Sequence, residues 1–406
     1  MGATVETSCC VVGGGPAGIM LAFLLARAGV DVVALEKHAD FFRDFRGDTI
    51  HPSTLQLMYE LGLLEEFLKV PHQEVRELAA QVGAEGFKVA DFTHLPTACK
   101  FLALMPQWDF LNFLAEQGRR YPSFHLRMEA EAHDLIFDGN RVAGVAATTP
   151  EGPLEVRAAL VVGADGRSSV VREKAGLEVV DLGAPIDVLW LRVSRHADDP
   201  GQTLGRVDFG EILVMINRDD YWQCAYVIHK GAFDDVRRAG LQAFREDIAS
   251  LAPFLRQRLG ELRDWDDVKL LTVRVDRLRS WFRPGLLCIG DAAHAMSPVG
   301  GVGINLAVQD AVATANALAK PLQRSLAPLN ALRAVQQRRT FPAALKQRIQ
   351  VFIQDRVLSR VLAGGKHTMS PPLILRLLDH WAPLRRIPAL LVGVGIRPEH
   401  IRSPVA

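Results

Sequence analysis

Three short stretches combine glycine with a carboxylate or an amide in patterns that suit the handling of phosphate and of developing negative charge. The first is Gly13-Gly14-Gly15-Pro16-Ala17-Gly18, a G-x-G-x-x-G run at Gly13, Gly15 and Gly18 that is followed, one helix and one strand later, by Glu36-Lys37. Gly13 permits a tight turn, and Gly15 lets the backbone approach a pyrophosphate with no Cβ in the way. Gly18 lets a helix lie close against a sheet, and Pro16 and Ala17 fall where that helix begins. The N-terminus of such a helix offers unpaired N–H groups and a positive dipole end to phosphate. Glu36 can accept hydrogen bonds from both ribose hydroxyls, while its charge would repel a 2′-phosphate. The second stretch is Gly163-Ala164-Asp165-Gly166-Arg167-Ser168-Ser169. The third is Gly290-Asp291-Ala292-Ala293-His294, which runs on through Pro298, Gly300-Gly301 and Gly303-Ile304-Asn305.

Each stretch needs a strand before it and a helix after it, and the sequence supplies both. Cys9–Val12 is a short apolar run consistent with a buried parallel strand, Ile19–Ala28 favours helix, Gly29 stops it, and Val30–Leu35 reads as a second strand. Ala159–Val162 and Leu286–Ile289 are further buried-strand runs. Helical patterns follow them at Val170–Ala175 and from Leu306 to about Ala319. The expected fold class is therefore α/β, with a Rossmann-like βαβ domain around a central parallel sheet. A plain NAD-dependent dehydrogenase needs only the first motif and leaves Asp165 and Asp291 unexplained.

Other chemistries find little support. Ser168-Ser169 lies in no G-x-S-x-G elbow. The five cysteines form neither a disulfide framework nor a zinc pattern, and His51 and His294 lack neighbours at ligand spacing, so no metal site is expected. Composition is that of an ordinary globular protein, with 49% hydrophobic and 23% charged residues, and the net charge of +1 gives nucleic-acid binding no help.

The three ordered motifs resemble those of the FAD-dependent monooxygenases of the aromatic-hydroxylase type, the class of p-hydroxybenzoate hydroxylase and the ubiquinone-biosynthesis hydroxylases. The resemblance spans residues 9 to about 320. It implies that FAD is the cofactor, bound through Gly13, Gly15, Pro16, Ala17, Gly18, Glu36 and Lys37. It also implies that Asp291, in the Gly290-Asp291 motif, meets the ribityl chain. Asp165-Gly166, with Arg167, matches a motif tied to FAD and to reduced nicotinamide. Pro298 matches a proline beside the reactive ring face. Around Gly301, the backbone N–H groups of Gly303, Ile304 and Asn305 would face the flavin edge and stabilise the anion formed on reduction. Arg46 matches an arginine that reaches the pyrophosphate, and Gln107 a glutamine that contacts FAD.

The activity this resemblance implies is hydroxylation of an aromatic, phenol-like or quinone-precursor substrate. NADPH or NADH, a transient co-substrate, reduces FAD, and O2 then forms a C4a-hydroperoxyflavin that delivers the hydroxyl. Alternative readings are a flavin-dependent reductase of a lipophilic substrate in the same superfamily, or a flavin-binding redox module with little turnover. A halogenase is disfavoured, since no W-x-W-x-I-P run is present.

By pattern, residues 1–72, 101–180 and 268–335 make a discontinuous FAD-binding domain. Residues 73–100 and 181–267 make a substrate-binding insert of β-sheet laid over the flavin, and 336–406 are helical. Within the insert Leu213, Met215, Trp222, Cys224 and Tyr226 fall on alternating positions, so these are the expected substrate contacts. Residues 321–406 hold fourteen Lys/Arg against three acids, a net +11. This basic tail suits internal pairing, a homodimer contact or a peripheral membrane contact. With no convincing signal peptide and no transmembrane run, a cytoplasmic location is expected.

Overall fold

The first strand forms as β1 (Ala3–Val12), followed by α1 (Pro16–Arg27) and β2 (Val32–Leu35), in the computed structural model, which describes residues 3–42, 49–201, 204–208, 210–363 and 371–406. The elements that matter for the site then run α2 (Pro52–Glu60), α3 (Gln107–Arg119), β3 (Gly152–Gly163), β4 (Ile186–Ser194), β5 (Glu211–Asn217), β6 (Tyr221–His229), α4 (Leu241–Leu251), β7 (Leu286–Cys288), α5 (Gly303–Leu322) and α6 (Leu329–Ile353).

β7, β3, β1 and β2 lie side by side and parallel in an eight-stranded sheet, extended beyond β2 by the parallel strand Phe124–Arg127. Their apolar runs are buried on both faces, which is why Cys9–Val12 and Leu160–Val162 read as continuous hydrophobic stretches and not as alternation. The chain leaves β1 through α1 to β2 on one side and returns later to β3 on the other. Strand order therefore reverses at β1, and a crevice opens at the carboxyl ends of the strands there.

The second sheet has seven strands, in the order Lys269–Leu271, β4, β6, β5, Leu204–Asp208, Glu77–Val82 and Glu85–Asp91. It draws its strands from both inserted segments and takes Lys269–Leu271 from just past the expected boundary at 267. One face packs on α4, where Leu189, Leu213, Trp222, Phe244 and Ile248 form a separate core. The other face looks toward the strand ends of the first sheet. Among the described residues no helix is long and apolar enough to cross a membrane.

Candidate active site

A cleft of about 650 Å³ opens between the two sheets, and all three glycine motifs converge on it. Its walls include Gly13, Gly15, Pro16, Ala17, Glu36, Lys37, Gln107, Asp165, Gly166, Asp291, Pro298, Gly301, Gly303 and Ile304. Gly18, Gly290 and Asn305 lie behind that surface and shape it. Arg46 lies outside the described residues.

The first motif is built as its residue types require. Gly13 adopts φ +107°, and a Cβ there would meet the Ala164 carbonyl oxygen at 2.4 Å. At Gly18 a Cβ would lie 1.9 Å from the Gly13 carbonyl oxygen, so only glycine allows α1 so close to β1. A Cβ at Gly15, by contrast, would point into open space. The first intrahelical bond of α1 runs from Ile19 N–H to Gly15 O, no side chain caps the helix, and its first turn holds no acid. The N–H groups of Ala17 and Gly18 therefore remain for an anion, and the residues fit a dinucleotide pyrophosphate. Glu36, 8% exposed, accepts from Gly14 N–H at 2.9 Å and His38 N–H at 3.1 Å, so it braces the glycine turn from the end of β2.

Asp165 does two things at once. Its carboxylate accepts from Ser169 Oγ at 2.5 Å and from Val171 N–H at 3.1 Å, capping the short helix Val170–Lys174, while its flank faces the cleft. Burial raises its pKa against the pull of these bonds. Arg167 reaches across the mouth to Asp291, Nη2 to Oδ2 3.7 Å.

The third motif is held from behind. Asp310 on α5 accepts from Gly290 N–H at 3.0 Å, lies 2.6 Å from His294 Nε2, and accepts from Arg339 Nε at 2.8 Å. Burial alone would raise Asp310, but His294 and Arg339 outweigh it and hold the carboxyl below its usual range. His294 is thus a structural anchor that leaves the adjacent Asp291 facing the cleft. The next loop, through Pro298, reaches α5, whose first intrahelical bond is Leu306 N–H to Val302 O. The N–H groups of Gly303, Ile304 and Asn305 precede that bond, and the first turn has neither cap nor acid. A developing negative charge at this edge would meet preorganised donors.

Several functional side chains carried no signal in the sequence. The Asn305 side chain accepts from His51 N–H at 2.8 Å and Thr54 Oγ1 at 2.7 Å and donates to Thr49 O at 3.0 Å, locking the start of α5 to the start of α2. His51 itself turns away from the cleft, with Nδ1 2.7 Å from Val392 O; burial, with Lys346 adding to it, lowers its pKa to about 3. From α6, Gln350 binds both sides of Pro298, accepting from Ser297 N–H at 3.2 Å and donating to Ser297 O at 3.0 Å and Val299 O at 2.8 Å. Gln347 and Gln354, on the same helical face, bind Ala295 O at 3.0 Å and Ser297 Oγ at 2.5 Å. Only the folded chain brings residues 295–299 and 347–354 together.

The expected substrate contacts require correction. Leu213, Met215, Trp222, Cys224 and Tyr226 are buried on the α4 side of the second sheet, where Tyr226 meets Phe244 edge-on with ring centres 5.2 Å apart. The cleft instead receives the intervening residues Ile212, Val214, Ile216, Ala225 and Val227, joined by Ile186, Val188, Trp190 and Leu271. The alternation is real and the register pairs Leu213 with Tyr226 and Val214 with Ala225, but it is the Val214–Ala225 set that faces the cleft. Both faces of this sheet are buried against apolar partners, so side-chain type did not distinguish them.

A family model described as FAD binding domain matches residues 6–348. The 6-methylpretetramide 4-monooxygenase of Streptomyces rimosus is 33% identical over 391 residues, covering 94% of this chain and 92% of that protein. An uncharacterized aromatic compound monooxygenase of Bacillus subtilis (strain 168) is 26% identical over 317 residues; the match covers 74% of this chain but 59% of that longer protein. Among solved structures, an anhydrotetracycline hydroxylase from Streptomyces rimosus superposes with a TM-score of 0.74 at 22% identity, covering 97% of this chain and 77% of that one. At that identity the likeness shows a shared fold.

Proposed function

This chain belongs to the FAD binding domain family and is an FAD-dependent monooxygenase, and from that premise we propose that it hydroxylates a flat, largely apolar, polycyclic aromatic compound with NADPH or NADH as reductant. The observation that carries the substrate class is the wall opposite the Pro298 loop. Ile186, Val188, Trp190, Ile212, Val214, Ile216, Ala225, Val227 and Leu271 present only hydrocarbon and one indole to the cleft. Such a wall rewards burial of a wide apolar face and gives no partner to a small carboxylate. The name of the relative from Streptomyces rimosus, a 6-methylpretetramide 4-monooxygenase, agrees with a substrate of this kind.

When bound, FAD supplies the redox chemistry, taking electrons from the nicotinamide and activating O2. The remaining tasks fall to the residues of this chain. The N-terminus of α1 would hold the pyrophosphate, and Glu36 and Gln107, which line the cleft, would hold the groups on either side of it. Asp291, braced by the Asp310–His294–Arg339 cluster, orients the chain leading to the ring. The uncapped N–H groups of Gly303 and Ile304 would stabilise negative charge developing at the ring edge, and Pro298 lines the same part of the cleft. The apolar sheet excludes water from the reacting face, which protects a reactive oxidant from wasteful decay. The named side chains of that sheet wall carry no ionisable group, so the wall contributes by positioning and by excluding water.

The reading includes a cytoplasmic setting, in keeping with five free thiols. Reconstitution with FAD followed by a screen of polycyclic phenols tests the core of it. Substrate should accelerate NAD(P)H oxidation, and the product should carry one oxygen atom from labelled O2. A product that has gained two hydrogens and no oxygen would defeat hydroxylation, and a protein that never takes up FAD would defeat the whole reading.

A further inference from the structure

A second concave site lies outside the cleft, between α6 and the strands Asp276–Leu278 and Phe282–Arg283. Arg333, Thr340, Phe341 and Arg348 recur along α6 at spacings that place them on one stripe of the helix. The opposite stripe, including Leu332, Val335, Arg339 and Gln350, is buried in the protein. Arg277 and Phe282 form the facing wall of a groove of about 720 Å³, which shares no lining residue with the cleft.

Three guanidiniums enter this groove, and among the described residues none is paired with a carboxylate. Arg277 Nη1 donates only to Gln347 Oε1, at 3.2 Å, while the neighbouring Arg279 takes Glu178 at 3.0 Å. Burial and the facing Arg348 both depress the Arg277 pKa, so two like charges meet in a partly desolvated wall. That arrangement is unfavourable unless an anion lies between them. Fifteen residues separate Arg333 from Arg348, which is roughly 22 Å along a helix, so the cations mark two ends of an elongated groove. Phe282 and Phe341 also line it, and the Arg397 guanidinium covers one face of the Phe341 ring, 4.7 Å from its centre, leaving the other face for a ligand.

We propose that this groove binds an elongated, phosphate-bearing ligand, with Arg277 and Arg348 gripping one phosphate group, Phe282 and Phe341 against its body, and Arg333 at the far end. Guanidinium forks suit phosphate oxygens, and the aromatic pair suits a base or another flat group. The proposal is independent of the flavin cleft. Two sources of this chemistry are the adenosine 2′-phosphate half of NADPH and a general polyphosphate.

The test is calorimetric titration of the full-length, FAD-loaded protein with inorganic pyrophosphate, 2′-phospho-ADP-ribose and ADP-ribose. Arg348→Gln and Arg333→Gln, both exposed, form the variants. At least one probe should bind, and Arg348→Gln should weaken it about tenfold, the loss of one charged hydrogen bond. The flavin spectrum should not change, and the melting temperature should not fall, since Arg348→Gln removes a like charge facing Arg277. Selectivity for the 2′-phosphate compound assigns the groove to the nicotinamide donor, and equal binding of pyrophosphate assigns it to polyphosphates at large. Either result supports the site. Absence of binding by all three probes, or unchanged affinity in both variants, would overturn it.

Discussion

Replacing Gln350 with leucine tests whether α6 sets the geometry of the Pro298 loop. The amide makes three bonds, at 3.2, 3.0 and 2.8 Å, to Ser297 N–H, Ser297 O and Val299 O. Leucine fills similar space but leaves one N–H and two carbonyls without partners in a buried place. Each such group costs about 1–3 kcal/mol, and because neighbours relax together the sum should fall near 3 kcal/mol. In a chain of this size that is a fall in melting temperature of a few degrees. The larger effect should be on the loop. With Ser297 and Val299 released, FAD should bind about tenfold more weakly, and more of the NAD(P)H consumed should appear as hydrogen peroxide than as product. The assays are differential scanning fluorimetry, flavin titration and a peroxide-to-product ratio, with exposed Gln337→Leu as the control. A Gln350→Leu protein that matches the unmodified chain in flavin affinity and in coupling would refute the assignment of α6 as the loop's support, whatever its melting temperature.

Other substitutions separate folding from binding. Gly15→Ala should fold normally, since its Cβ meets open space, but should lose FAD; Gly18→Ala, with its Cβ 1.9 Å from Gly13 O, should lose both, as circular dichroism and flavin retention would show. Val214→Phe should raise the KM for a large aromatic with little change in melting, whereas Leu213→Ala, on the far face, should cost about 2–5 kcal/mol by denaturant titration and leave the KM of the folded enzyme unchanged. The pKa of His51 is lowered from 6.5 to about 3 by burial, so its neutral form stabilises the fold fully above 6.5. That contribution should shrink as pH falls from 6.5 toward 3. His51→Asn, which keeps a donor for Val392 O, should flatten the stability profile across that window.

The glycine motifs were legible because their chemistry is local. Gly13, Gly15, Gly18 and Glu36 are tied to one turn, one helix and one strand, and consecutive residues suffice to specify a helix N-terminus aimed at a phosphate. The same holds for Gly163–Arg167 and for Gly290–Asn305, and from these three strand ends the α/β fold and the place of the cleft followed. Strand alternation in the insert was legible too, but only as two sets. Which set faces the cleft depends on the side of the sheet that α4 covers, and that is a contact between segments, with hydrocarbon on both faces. For the same reason nothing local marked Gln350 as the support of Pro298, the Asn305 side chain as a clamp on His51 and Thr54, or Arg339 as a partner of Asp310. Amides and charges gain such roles only when burial removes water and leaves them one another as partners, and the pairing is chosen by how α5 and α6 pack.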